Sequence, residues 1–138
     1  MIVTKKLVFN TNGDGDVTDI THQVAEIVTA STLNAGTATV FVAGSTAGVT
    51  TIEYEPGLVT DLKETWQRLV PEGVPYQHDS RWGDGNGFSH VRSALLGASL
   101  VVPFKDKTLL LGVWQQIVVL DFDNRPRSRQ IIVQISGE

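Results

Sequence analysis

No cysteine occurs among the 138 residues. Disulfides, a thiolate nucleophile and any thiolate-ligated zinc or iron–sulfur centre are thereby excluded, so a bound metal must use histidine, carboxylate or backbone oxygen ligands. A large excess of one charge is also lacking: 11 Lys and Arg stand against 15 Asp and Glu, a formal net charge of −4. Residues 1–72 hold 4 basic and 9 acidic side chains and residues 73–138 hold 7 and 6, so neither half carries the dense basic surface on which duplex binding depends. Nucleic acid is not an expected partner. Apolar runs are short, each broken by Gly, Pro or a charge well before it could span a bilayer, and no membrane association is expected. No basic segment followed by an apolar stretch opens the chain, because Lys5 and Lys6 fall inside a strand-like run. No signal peptide is read there, and the expected compartment is the cytoplasm.

What is present is a chain 41% hydrophobic and 19% charged, rich in Val, Ile, Thr and Leu. That composition belongs to one folded domain over residues 1–138 with one core. "IVTKKLVF" (2–9) alternates as a strand, and "NTNGDGD" follows as a turn. Asp19 or Thr21 can cap a helix whose stripe is Val24, Ile27 and Val28, with Asn34 and Gly36 to end it. "TATVFVA" (37–43) is apolar on both faces like a central strand, and "VTTIEY" (49–54) is a second strand after the small-residue bend Gly44–Gly48. Pro56 suits the first position of a helix bearing Leu58, Leu62, Trp66 and Leu69, which Pro71 stops. A long Gly, Pro and Asp-rich segment (71–87) precedes a short helix, "FSHVRSALLG". Three antiparallel strands are then expected: "SLVVPF" turning at "KDK", "TLLLGVWQQIVVLDF" with an interruption near Gly112, and "SRQIIVQIS" after a turn at "DNRPR". Helices and strands do not alternate strictly. The fold class is therefore α+β, a mixed, largely antiparallel sheet with helices packed on one side.

Long polar loops are where function concentrates. His78 and His90 flank Asp79, Asp84 and Asn86 with eleven residues between them, a set able to share a metal ion or divide acid and base roles. The plainer alternative is a solvent-facing His78 and a packing or capping His90. His22, in the first turn of the first helix, reads as a surface residue. Asn10, Asn12, Asp14 and Gly15 imitate the start of a calcium loop, but Thr21 stands at the twelfth position where a bidentate Glu is required, so an ordinary turn is read. The 44–48 bend lacks the Lys of a nucleotide loop. Its amides, with the hydroxyls of Ser45 and Thr46, can still form an anion nest, or the segment is only a strand bulge. Arg127, one of three arginines alternating through 125–129, can grip a phosphate in a fork, or it solvates a turn. Trp114 and Gln115 interrupt an apolar strand, where the glutamine needs a ligand or a backbone partner.

The blocks "GSTAGVTTIEYEPGL", "YQHDSRWGDGNGFSHVRSALLG", "LVVPF" and "LLLGVWQQIVVLDFDNRPRSRQIIVQ" resemble, in order and spacing over nearly the whole chain, the YjbQ-like family. That resemblance implies a small trimeric α+β protein with a weak thiamine-phosphate synthase activity, in which a pyrimidine diphosphate joins a thiazole phosphate with release of diphosphate. It also implies a divalent cation, Mg or Zn. Carried over by position, it marks His78, His90 and Glu53 as catalytic, His78 and His90 as metal ligands, and Asp61 as an acidic family position. Ser45, Thr46, Asn86, Trp114, Gln115 and Arg127 are then ligand contacts. Gly44 stands where many members have His, and Phe88 where some do, so one imidazole able to complete a metal site is missing. The competing reading is a non-catalytic trimer that binds a metal or a small phosphorylated ligand.

Overall fold

A computed structural model describes residues 1–138. Its elements are β1 (Ile2–Thr11), β2 (Asp16–Asp19), α1 (Thr21–Ala30), β3 (Ala35–Val42), β4 (Ala47–Ile52), α2 (Pro56–Leu69), α3 (Gln77–Trp82), α4 (Gly87–Leu96), β5 (Ser99–Lys105), β6 (Thr108–Leu109), β7 (Gln116–Asp121) and β8 (Arg127–Gly137). They build two sheets, one of five strands in the order β1-β8-β3-β5-β6 and one of three in the order β2-β7-β4, and every pairing is antiparallel. The α+β class holds. The single sheet of the sequence reading is in fact two.

Alternation explains how the layers assemble. On β8, Arg129, Ile131, Val133 and Ile135 are buried while Gln130, Gln134 and Ser136 are exposed, so one face of the large sheet looks inward. Ala38, Val40 and Val42 of β3 continue that face, and together they meet Ala47, Val49, Ile117 and Val119 of the small sheet and Val24 and Val28 of α1 in the main core. The small sheet is covered on its other face too. Val118, Leu120 and Phe122 pack there with Trp66 of α2 and Leu96 of α4, which is why β7 reads as an unbroken apolar run.

Local chemistry sets the element ends. Asp19 Oδ1 accepts from the Thr21 amide at 2.9 Å and the Thr21 hydroxyl at 2.6 Å, fixing the entry to α1. Pro56 occupies the first turn of α2, and Glu55 accepts from the amides of Gly57 and Leu58, both at 2.8 Å. Asp106 and Lys107 both take positive φ in the two-residue connection between β5 and β6, the backbone signature of a tight hairpin.

Two expectations need correction. The stretch 110–115 leaves the sheet altogether, so "TLLLGVWQQIVVLDF" is not one strand: β6 ends the large sheet and β7 is the centre of the small one. The "DNRPR" turn likewise closes no hairpin, because β7 and β8 belong to different sheets and the segment crosses between them. The segment 71–87 also contains a short helix, α3, that composition alone did not reveal.

Candidate functional site

The crossing between sheets creates the most concentrated polar feature of the molecule. Asp121 and Asp123 continue the inward parity of Ile117 and Val119, and Arg127 and Arg129 continue that of Ile131 and Val133. Where the apolar core ends, carboxylates from one sheet therefore face guanidiniums from the other. Arg129 donates from Nε to Asp121 Oδ2 at 2.6 Å and from Nη2 to Asp121 Oδ1 at 2.7 Å, and Thr11 Oγ1 donates to the same carboxylate. Asp123, fully buried, accepts from Arg127 Nε at 2.8 Å, Thr46 Oγ1 at 3.0 Å and the Asn124 amide at 2.8 Å. The Asn86 amide reaches Asp123 Oδ1 at 3.3 Å, and turned over it donates to Asp84 Oδ1 at 3.1 Å instead. Burial alone would raise the Asp123 pKa, but the hydrogen bonds from Arg127, Thr46, Asn86 and Asn124 outweigh it and hold the carboxyl below 3.8.

Against this network stand the two histidines. Gly83, with φ +72°, ends α3, and Asp79 Oδ1 accepts from the Gly87 amide at 2.8 Å, tying α3 to the first turn of α4. That tie lays His78 beside His90, with ring centroids 4.3 Å apart and planes 38° from parallel. His78 Nδ1 is buried with no hydrogen-bond partner and lies 3.6 Å from Asp79 Oδ1 and 3.7 Å from Asp84 Oδ1. Donor atoms held at about 2.1 Å from a tetrahedral ion sit ~3.4 Å apart, close to the two spacings that His78 makes with Asp79 and Asp84. His90 is not in that converging set, although its ring lies against that of His78. Burial, and then the charge of His78, push the His90 pKa below 6.5. Asp123 and Asp84 oppose that shift, and Arg127 adds to it. A neutral His90 at pH 7 follows.

The bend divides in two. Ala47 is fully buried in the main core, and a Cβ on Gly48 would lie 2.7 Å from both Gly97 O and Leu96 Cδ2, so these two small residues let β4 approach α4. They turn a corner and touch no site. The amides of Gly44, Ser45 and Thr46, by contrast, donate to no atom of the chain, and the Thr46 hydroxyl sits within the Asp123–Arg129 network while Ser45 is exposed.

Three predicted residues lie elsewhere. Glu53 follows the far end of β4, about 20 Å of strand away from Thr46. It lines an open groove of about 450 Å³ with Asp19, Tyr54, Glu55, Val113, Trp114 and Gln116. Trp114 is 70% exposed there. Gln115 accepts from the Gly112 amide at 2.8 Å and donates to Thr51 Oγ1 at 3.2 Å, so a local turn and not a ligand satisfies it. Asp61 is exposed on α2, and Phe88 is buried under the Arg92 guanidinium. Within one chain, Glu53 does not converge on the histidines. The residues that sequence reasoning missed are Asp121, Asp123 and Arg129. Their signal was available in "DFD" and "RSR", which keep the parity of the apolar residues beside them.

Similarity to known proteins fits this picture. Residues 5–138 match the family described as "UPF0047 protein YjbQ-like". The chain is 39% identical over 119 residues to a UPF0047 protein of Archaeoglobus fulgidus, covering 86% of this chain and 90% of that one. It is 31% identical over 134 residues to UPF0047 protein YugU of Bacillus subtilis, covering 96% and 98%. The crystal structure of a YbjQ-like protein of unknown function from Sulfolobus solfataricus superposes with a TM-score of 0.90 at 29% identity, over 100% of both chains. With the match spanning nearly every element described above, the chain belongs to the YjbQ-like UPF0047 family.

Proposed function

We propose that this protein binds a divalent cation, Mg or Zn, at His78, Asp79 and Asp84, and beside it a small phosphorylated compound held by Arg127 and the free amides of residues 44–46. The observation that carries this reading is the state of Arg127. Its Nε is fixed on buried Asp123 while its two terminal nitrogens make no hydrogen bond within the chain, so a positioned guanidinium edge is left open to a ligand. Charge favours a cation here. Asp121 and Asp123 are paired with Arg129 and Arg127, whereas Asp79 and Asp84 lie against His78 with no arginine in ion-pair reach. The donor set of one imidazole and two carboxylates suits such an ion. When bound it would supply Lewis-acid stabilisation to phosphoryl oxygens.

The reaction we assign to this site is of the thiamine-phosphate synthase type. The thiazole nitrogen forms a bond to the methylene carbon of the pyrimidine as the carbon–oxygen bond to diphosphate breaks. Such a step asks the protein for stabilisation of leaving-group charge more than for a nucleophile. Arg127 and the bend amides provide it, and neutral His90, half-exposed beside His78, lies ready to hydrogen-bond a phosphoryl or hydroxyl group. We also read the protein as a homotrimer. The outer face of the five-stranded sheet carries no helix and exposes Ile2, Val8, Phe41 and Val101 among polar residues.

Purified protein incubated with Mg²⁺, the pyrimidine diphosphate and the thiazole phosphate is expected to release diphosphate, and His90→Ala and Arg127→Ala are expected to fold normally and release none. Mn²⁺ and phosphate binding without turnover would leave the non-catalytic ligand-binding reading in place of the catalytic one. A wild-type protein that binds neither would remove both.

A further inference from the structure

We infer that the groove beyond the far end of β4, walled by Tyr54 and Trp114 and floored by carboxylates, binds a small organic ammonium ion. The groove lies about 20 Å of strand from Thr46 and is independent of the cation and phosphate reading. Its volume of about 450 Å³ is that of a small-molecule site. Hydrogen bonds hold both aromatic walls in place. On one side the Tyr54 amide donates to Gln116 Oε1 at 2.8 Å, and the Tyr54 hydroxyl reaches Val17 O at 3.4 Å. On the other, the Gln115 amide donates to Gly112 O at 3.0 Å, Gln115 Oε1 accepts from the Gly112 amide at 2.8 Å, and Gln115 Nε2 ties the turn to Thr51 of β4 at 3.2 Å. That braced turn presents Val113 and Trp114 to solvent, 79% and 70% exposed. A lone exposed ring is ordinary, but Tyr54, Val113 and Trp114 lining one groove form contiguous apolar surface that folding does not use.

Charge selects the ligand. Asp19, Glu53 and Glu55 line the same groove, and no Lys, Arg or His of the chain forms an ion pair with any of them. Asp19 and Glu55 are oriented by the helix-end amides they accept from, and Glu53 is exposed between the two. The rings tell the same story. Trp82, also exposed, carries the Arg81 guanidinium 5.4 Å from its ring centre, and Phe88 carries that of Arg92 at 4.9 Å, whereas no cation of the chain lies over Trp114 or Tyr54. Aromatic faces and carboxylates that the chain leaves without a cation are the elements that recognise an ammonium group on an apolar body.

The probe is choline, titrated calorimetrically beside neohexanol, its uncharged carbon isostere. Wild type should bind choline about tenfold more tightly than the alcohol. Trp114→Ala and Glu53→Gln alter exposed side chains, so both should fold, and each should weaken choline about fivefold. Trp114→Phe, which keeps an aromatic face, should stay within about twofold of wild type. If Trp114→Ala melts early, Glu53→Gln decides alone. His78→Ala should bind choline as wild type does, and a loss there would place the amine at the histidines and overturn the separate site. Equal affinity for choline and neohexanol, or choline binding that ignores the substitutions in the groove, would overturn the inference. So would binding of the tripeptide Gly-Lys-Gly in place of choline, which would make the groove a dock for a lysine side chain of another protein. Neither metal nor phosphate enters this titration, so its failure is distinguishable from failure of the reading at His78 and Arg127.

Discussion

At the scale of single residues, two glycines in one bend do opposite things, and substitution separates them. A Cβ at Gly48 collides with backbone oxygen of Gly97 and with Leu96, neither of which can withdraw without moving α4. Gly48→Ala should therefore lower stability by about 1–3 kcal/mol in urea denaturation. At Gly44 the only neighbour is the Arg129 head, and the cost should fall on ligand binding. Asp123 supplies a test by pH. Its folded pKa lies below 3.8, so its ionised form contributes stability that is fully present above that value and is lost as pH falls through the folded pKa. Asp123→Asn should then be about 2 kcal/mol less stable than wild type at neutral pH, and the gap should close on acidification below 3.8. A gap that persists unchanged in acid would mean that the carboxylate's charge contributes nothing there.

Elements decide which of these residues can meet. β7 carries one core on each face, and Phe122, just beyond it, packs edge-on against Trp66 of α2 at 4.9 Å while its neighbours Asp121 and Asp123 point the other way. Phe122→Ala should cost about 3–5 kcal/mol and change Trp66 emission, because the ring anchors the strand end that aims both carboxylates. Alternation and capping made most strands and helices legible in the sequence: Pro56 opened α2 and the Val24–Val28 stripe marked α1. Periodicity says which face a residue occupies but not which sheet its strand joins. For that reason β7 and β8 read as a hairpin, and the facing of "DFD" on "RSR" went unseen. The His78–His90 pairing was legible as a cluster, whereas Asp79's bond to the Gly87 amide, which produces it, depends on a helix too short to leave a period. Glu53 and Trp114 were placed with the histidines by family position alone, and strand length holds them apart.

For the whole molecule, the bare outer face of the large sheet and the open guanidinium edges are two surfaces that a single chain leaves unpartnered. Light scattering should give a trimer, and Phe41→Asp, which puts a charge on the middle strand of that face beside Ile132 and Ser99, should yield monomers with the domain still folded. A monomeric wild type at micromolar concentration would contradict this. Cation and phosphoryl anion are proposed to bind as a pair at the end of the small sheet, where Asp123 and Asp121 hold Arg127 and Arg129 and the carboxylates of Asp79 and Asp84 lie against His78. The most direct test of that pairing is calorimetric titration of phosphate into wild-type protein with Mn²⁺ and with a chelator. Binding is expected with Mn²⁺ only, and none in His78→Ala under either condition; phosphate binding of equal strength in the chelator would rule out the paired site.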